Sequence, residues 1–423
     1  MSAASLKGNS AVYVAAAALN ATIPFLLLPL LTRWLGPAEF GLVGVFLALV
    51  NVATVLVGLS AHGLLSVTYF RHGVEQIPAL VGACMRLLCI TALPLVAAFV
   101  LFARPLQHVT GITVTWGWTI VVTAAAQFVV GIGLAVWQAR EQAKRCAAVQ
   151  VGYSASAAML TVLLVGAAGW RWEGRVGAQV VAATAFALLT FALLRRDHLL
   201  RWRETGGAPL RAALRFGLPL VPHSLAAVVM ISADRLALSG LGGPEAVGHY
   251  FAAFQIAAVL TVAAAAVNQA WVPWLYRRLA SPTPQALRDV VRATYRLYGA
   301  LLAAATVLSL AAPWLIYRIA GPGFDPAVNV LRWLAPAAAL SGMYYFVTGY
   351  LFYAGRTGVL SAITVSCAGL QVGLILALVP HFGAEGAAAA TLVSAFAYWL
   401  AIWWAASLAV PMPWSLRDRN KNS

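Results

Sequence analysis

The chain has 423 residues, of which 62% are hydrophobic and 9% charged, and its net charge is +16. Soluble domains carry about 25% charged residues. A water-facing fold is therefore excluded; the solvent is lipid, where only helices or closed barrels satisfy their backbone groups. The positive charge then reads as Lys and Arg held in cytoplasmic loops beside anionic lipid, not as a nucleic-acid surface.

The apolar runs are about 20 or more residues long, which predicts helices and not the roughly ten-residue strands of a membrane barrel. Twelve spans are expected, at roughly 9–32, 39–62, 79–103, 114–137, 147–169, 174–194, 211–239, 246–272, 292–317, 327–353, 358–380 and 383–410. The first is too long for a signal-peptide core and is read as an uncleaved span. Cys84, Cys89, Cys146 and Cys367 form no CxxC or Cys/His cluster, so they read as small buried residues and no metal site is expected. No GxxxxGK[ST] loop is present, so hydrolysis of ATP by this chain is not expected.

With the N-terminus in the cytoplasm, 21 of the 28 basic residues fall on the inner side. They include Lys7, Arg71, Arg140, Lys144, Arg145, Arg195, Arg196, Arg201, Arg203, Arg211, Arg277, Arg278, Arg356, Arg417, Arg419 and Lys421. Arg33, Arg104, Arg171, Arg175, Arg235, Arg318 and Arg332 fall outside. That bias places both termini in the cytoplasm.

A shift of 207 residues lays Gly36-Pro37 on Gly243-Pro244, Gly41 on Gly248, Tyr69 on Tyr276 and Arg71 on Arg278. Gly174-x-x-Gly177-Ala178 is echoed by Gly383-x-x-Gly386-Ala387. Two six-span halves in the same orientation predict a pseudo-twofold axis along the membrane normal and a central cavity between lobes. The expected division is a lobe over 1–195, a basic cytoplasmic linker over 196–210 and a second lobe over 211–423.

Lys7-Gly8-Asn9-Ser10, Leu35-Gly36-Pro37-Ala38-Glu39-Phe40-Gly41, Asp234-Arg235-Leu236, Leu241-Gly242 and Val247-Gly248-x-Tyr250 together resemble the Wzx-like polysaccharide-biosynthesis flippases. These belong to the multidrug/oligosaccharidyl-lipid/polysaccharide exporter superfamily. The resemblance implies two six-helix bundles around a hydrophilic cavity. It also implies movement of an undecaprenyl-diphosphate-linked oligosaccharide from the cytoplasmic to the periplasmic leaflet of a bacterial inner membrane. Polysaccharide polymerase machinery is an implied partner. A multidrug cation antiporter of the same superfamily and a membrane glycosyltransferase or ligase are the alternatives. The first would want acidic cavity residues, and the second a large periplasmic loop or paired carboxylates.

Ionisable and polar residues inside the spans are the candidate site, because placing them in lipid is costly. Arg86 reads either as a diphosphate contact or as a side chain reaching back to the headgroups, and Arg215 as a substrate contact or a cytoplasmic anchor. Asp234 and Arg235 are adjacent on one helix, so partners on other helices are expected. They read either as a docking ion pair or as a gate with proton or sodium coupling at Asp234. His223 reads as a protonation switch or a neutral helix contact. Asn20, Asn51, Gln127, Gln255, Asn268 and Gln371 could bind sugar hydroxyls or hold helices together. Pro24 and Pro29, and Pro219 and Pro222, interrupt the span that leads each half. Trp34, Trp116, Trp118, Trp170, Trp271, Trp274 and Trp414 fall at span ends, as an interfacial belt would place them.

Overall fold

The computed structural model describes residues 3–202 and 207–415. Arg203, Arg417, Arg419, Lys421 and the centre of the expected linker lie outside the described residues. No strand is present among those described.

Glycines set the helix ends. The helix Ala3–Leu56 is broken at Gly36 (φ 68°) into α1 (3–35) and α2 (37–56). A left-handed turn then leads to the short α3 (Gly63–His72). There follow α4 (Ile77–Leu101), α5 (Val114–Ala139), α6 (Ala143–Thr161) and α7 (Trp172–Arg196). A short helix, α8 (Ala208–Gly217), and a 3-10 turn at Leu218–Leu220 lead into Val221–Ala280. That helix is broken at Gly243 (φ 77°) into α9 (221–242) and α10 (244–280). The rest is α11 (Pro284–Leu310), α12 (Ala327–Tyr353), and Thr357–Ala409, divided at Gly383 into α13 (357–382) and α14 (384–409). Twelve of these helices are long enough to span, the number expected from the sequence. The fold is all-α and multi-pass.

Several boundaries differ from expectation: the eighth span, expected to end at 272, runs to Ala280, and the ninth, expected over 292–317, is Pro284–Leu310. The second span, expected over 39–62, stops at Leu56, because Gly58, Leu59 and Ser60 take positive φ. The seventh, expected to run unbroken from 211, begins as the separate α8. Pro219 and Pro222 withhold backbone donors at the junction.

The described chain forms two compact units, residues 1–251 and 252–423. In the first, α5 packs on α7 and α6 on α7, around Val130, Trp137, Cys146 and Ala183. In the second, α12 packs on α11 and on the α13–α14 pair, around Trp271, Leu275, Phe346, Tyr350 and Ile402. Two indoles there find acceptors: Trp271 Nε1 donates to the Phe346 carbonyl at 3.1 Å, and Trp399 Nε1 to the Tyr298 hydroxyl at 3.2 Å. The segment after α14 folds back so that the Trp414 carbonyl accepts from Tyr295 at 2.8 Å. Leu93 (71% exposed) and Leu310 (77%) stand on helix surfaces. Such side chains suit acyl chains and not water.

Candidate functional site

The repeated Gly-Pro turns come together in the first unit. Gly36 and Gly243 share almost one backbone conformation, with ψ 175° and 173°. Each following helix then presents a glycine to the other's proline. A Cβ on Gly41 would lie 1.8 Å from the Pro244 carbonyl oxygen, and a Cβ on Gly248 would lie 1.9 Å from that of Pro37. One turn further along, Phe251 covers Gly44 and stacks on Phe40 with centroids 5.1 Å apart. Repeat-equivalent positions, 41 with 248 and 44 with 251, therefore face each other across a local pseudo-twofold axis. The motif reads as backbone-to-backbone packing that only glycine permits.

Asp234 lies beside this crossing, 1% exposed, with Arg235 at 3%. The expected partners on another helix are present. The Tyr250 hydroxyl of α10 donates to Asp234 Oδ2, and the Arg235 guanidinium lies 5.4 Å from the Phe251 ring centroid. The two residues also meet one another: the Arg235 backbone N–H donates to Asp234 Oδ1 at 2.7 Å, and Nε stands 3.5 Å from the same atom. The side chain of Arg235 reaches back to the Ile231 carbonyl. A buried carboxylate is thus held by a phenol, a backbone amide and a guanidinium. Two residues before Asp234 on the same helix, Ser232 accepts from Asn51 Nδ2 of α2 at 3.4 Å. At the far end of that interface, Ser224 meets Ser60 at 3.4 Å.

A second polar cluster lies inside the α1–α5–α6–α7 bundle. A cavity of about 220 Å³ is lined by Asn20, Gln127, Gln150 and Tyr153 among apolar residues. Ser154 donates to Asn20 Oδ1. Tyr153 accepts from the amides of Gln127 (3.4 Å) and Gln179, and Gln179 in turn accepts from Arg175 at 3.2 Å. Asn20 and Gln127 both line this cavity. Gln150, Tyr153, Ser154, Arg175 and Gln179 were missed. Their helical spacing, 150/153/154 and 175/179, was the available signal; Arg175 was counted only as a loop charge.

The break after α2 is enclosed by its neighbours. Gly58 N–H donates to Thr91 of α4 at 3.0 Å, the Phe128 ring fills the place of a Cβ on Gly58, and Gly217 abuts the Leu59 carbonyl. Leu59 and Ser60 hold positive φ without being glycine, a strained geometry that packing must maintain. Arg86 is half-buried on α4, and His223 is half-buried one residue from Ser224, its Nδ1 without a hydrogen-bond partner. Arg215 is exposed on α8. A larger cavity, about 1110 Å³, lies among α3, α4, the start of α8 and the 197–201 segment; Glu75, Arg140, Asp197, His198 and Arg201 line it. That segment is pinned to α4: Arg201 N–H donates to the Pro78 carbonyl at 3.0 Å, and Gly82 leaves room for its backbone. In the second unit, Gln255 and Asn268 are half-buried, and Asn268 Oδ1 has no hydrogen-bond partner. Gln371 is 1% exposed.

The comparisons agree with this architecture. A 23% identical relative, an uncharacterized membrane protein of Haemophilus influenzae, aligns over 89% of this chain and 91% of its own. A second from the same organism, Lsg locus putative protein 1, is 22% identical over 88% and 90%. Among solved structures, an inward-facing multidrug resistance MATE transporter of the MOP superfamily matches with TM-score 0.74 at 15% identity, covering 93% of this chain and 97% of that one. The lipid II flippase MurJ, in an inward closed conformation, also matches with TM-score 0.74, at 10% identity over 94% and 87%. Those TM-scores establish a shared fold, and the two-lobe arrangement expected from the repeat fits it. The family model for polysaccharide biosynthesis protein matches residues 6–278, well over half of the sequence. The chain belongs to the polysaccharide biosynthesis protein family.

Proposed function

We propose that this membrane protein is a flippase that carries an undecaprenyl-diphosphate-linked oligosaccharide from the cytoplasmic to the periplasmic leaflet by alternating access. The observation that carries the reading is family membership across residues 6–278. A fold in common with a lipid II flippase supports it. The positive-inside count supports a bacterial inner-membrane location with both termini in the cytoplasm. The lobes are assigned to 1–195 and 211–423, joined by the basic linker. Arg86 and Arg215 are the proposed contacts for the diphosphate near the inner leaflet, with His223, Asn20, Asn51, Gln127, Gln255 and Asn268 offered to the glycan. Asp234 and Arg235 are the proposed gating or ion-coupling pair beside the Gly-Pro crossing.

The fold shared with a multidrug transporter favours a second reading, extrusion of organic cations. The buried carboxylate of the first unit argues against it: Asp234 already faces a guanidinium. In cells, depletion of the protein should trap the lipid-linked glycan on the cytoplasmic side, out of reach of a lectin added to spheroplasts. Undiminished lectin labelling, with raised sensitivity to cationic drugs, would favour the extruder.

A further inference from the structure

We propose that the pocket at the C-terminal end of α7 holds the headgroup of one anionic phospholipid. The pocket, about 610 Å³, is lined by Arg195, His198 and Arg201 and by the apolar Phe191, Leu200 and Trp202. Guanidinium groups bind phosphate oxygens in a fork-like, bidentate way. Among the described residues no carboxylate lines this pocket. Asp197, the acid next in sequence, lines the neighbouring larger cavity and is paired with Arg145. At about 30 Å³ per water the pocket holds roughly twenty waters, which leaves room for a phosphodiester with its first hydration shell.

The basic segment is fixed at both ends. His198 closes α7 in the left-handed conformation (φ 55°), its N–H donating to the Arg195 carbonyl at 3.1 Å and the Leu199 N–H to the Leu194 carbonyl at 2.9 Å. Three residues on, Arg201 N–H donates to the Pro78 carbonyl of α4, and a Cβ on Gly82 would lie 2.0 Å from the Arg201 carbonyl oxygen. A track for an acyl chain leads to the same place. Val181, Ala185, Leu188 and Ala192 are exposed on α7 at i, i+4, i+7 and i+11, and exposed Arg195 ends the row at i+14. At 3.6 residues per turn these positions share one face, about 80° wide. The apolar part of the row is about 16 Å long at 1.5 Å per residue, close to half of a roughly 30 Å hydrocarbon core. One chain of a single leaflet therefore lies along α7 with its phosphate at Arg195. In the proposed orientation this end of α7 is cytoplasmic, the side where anionic headgroups attract basic segments. Trp202, 49% exposed, suits the headgroup level where indoles collect.

The test needs no transport substrate, so its failure would leave the flippase reading standing. The purified full-length protein in detergent is titrated with phosphatidylglycerol, or with phosphatidylcholine of the same chains, and bound lipid is counted by native mass spectrometry. The wild type should retain one phosphatidylglycerol with at least tenfold higher affinity than phosphatidylcholine. Arg195→Gln combined with Arg201→Gln should abolish that preference. Arg277→Gln combined with Arg356→Gln, which removes the same charge from exposed positions of the second unit, should leave it unchanged. Glycerol phosphate, a headgroup without chains, should not displace the lipid at equal concentration. Should the double variant not be recovered, Arg195→Gln alone should lower the preference at least threefold. A wild type that binds both lipids equally, a Gln pair at 195 and 201 that keeps the preference, a control pair that loses it, or displacement by glycerol phosphate would each overturn the proposal.

Discussion

The two Gly-Pro turns are nearly the same object, and the helices that lead into them are not. Gly36 and Gly243 differ by about ten degrees in φ, and each feeds a helix whose fifth residue after the turn is a glycine packed on the other's proline carbonyl. About two helical turns before each Gly-Pro turn, however, α1 offers the buried Leu27-Leu28 where α9 offers the buried Asp234-Arg235. Symmetric backbone packing has been kept while the chemistry beside it is one-sided. The difference teaches that the glycine packing at this crossing and the buried charge beside it are separable features. The first belongs to both copies and the second to α9 alone.

The largest effect should come from breaking the symmetric part. Gly41→Leu and Gly248→Leu each force a side chain into a carbonyl less than 2 Å from the new Cβ, so both should abolish transport and lower the yield of monodisperse protein. Gly299→Ala, where a Cβ meets nothing within 4 Å, should be tolerated. If Gly41→Leu behaved like Gly299→Ala, the crossing would not be a tight contact.

Next comes the asymmetric part. Asp234→Ala strips a buried cation of its partner, a change that costs about 3–5 kcal/mol in buried pairs. Pairing it with Arg235→Leu should restore much of that stability but not transport. Leu28→Ala in the first copy should cost a comparable 2–5 kcal/mol through a cavity, yet leave the ion dependence of transport untouched. Thermal unfolding together with transport under proton and sodium gradients separates the two. Equal loss of ion dependence at both sites would erase the proposed asymmetry.

The smallest effect is expected where α2 meets α9. Asn51→Leu removes one 3.4 Å hydrogen bond to Ser232, worth about 0.6 kcal/mol between membrane helices. A loss of several kcal/mol in unfolding would show that Asn51 does more than pack.

The scaffold was readable because its signals are local. Apolar run length gave the spans, and the Gly-Pro-x-x-x-Gly repeat placed both turns, since a glycine at positive φ and a proline just after it leave few alternatives. What the repeat could not show is that the two copies pack on each other, which depends on tertiary approach. The break at Gly58–Ser60 escaped notice because Leu59 and Ser60 are ordinary helix residues, forced into positive φ by neighbours on α4, α5 and α8. The Tyr153–Gln179–Arg175 relay joins positions on different helices, so no single window contains it. Asp234 was legible because a carboxylate in an apolar run is conspicuous; its phenolic partner Tyr250 was quoted only as part of a motif.

The most direct measurement of the central claim uses the protein reconstituted into vesicles holding a fluorescent undecaprenyl-diphosphate oligosaccharide in one leaflet. Leaflet exchange should accelerate over empty vesicles, should collapse in Gly41→Leu and should change its ion dependence in Asp234→Asn. Exchange no faster than in empty vesicles under any ion gradient, with efflux of an organic cation from the same vesicles, would contradict the flippase account.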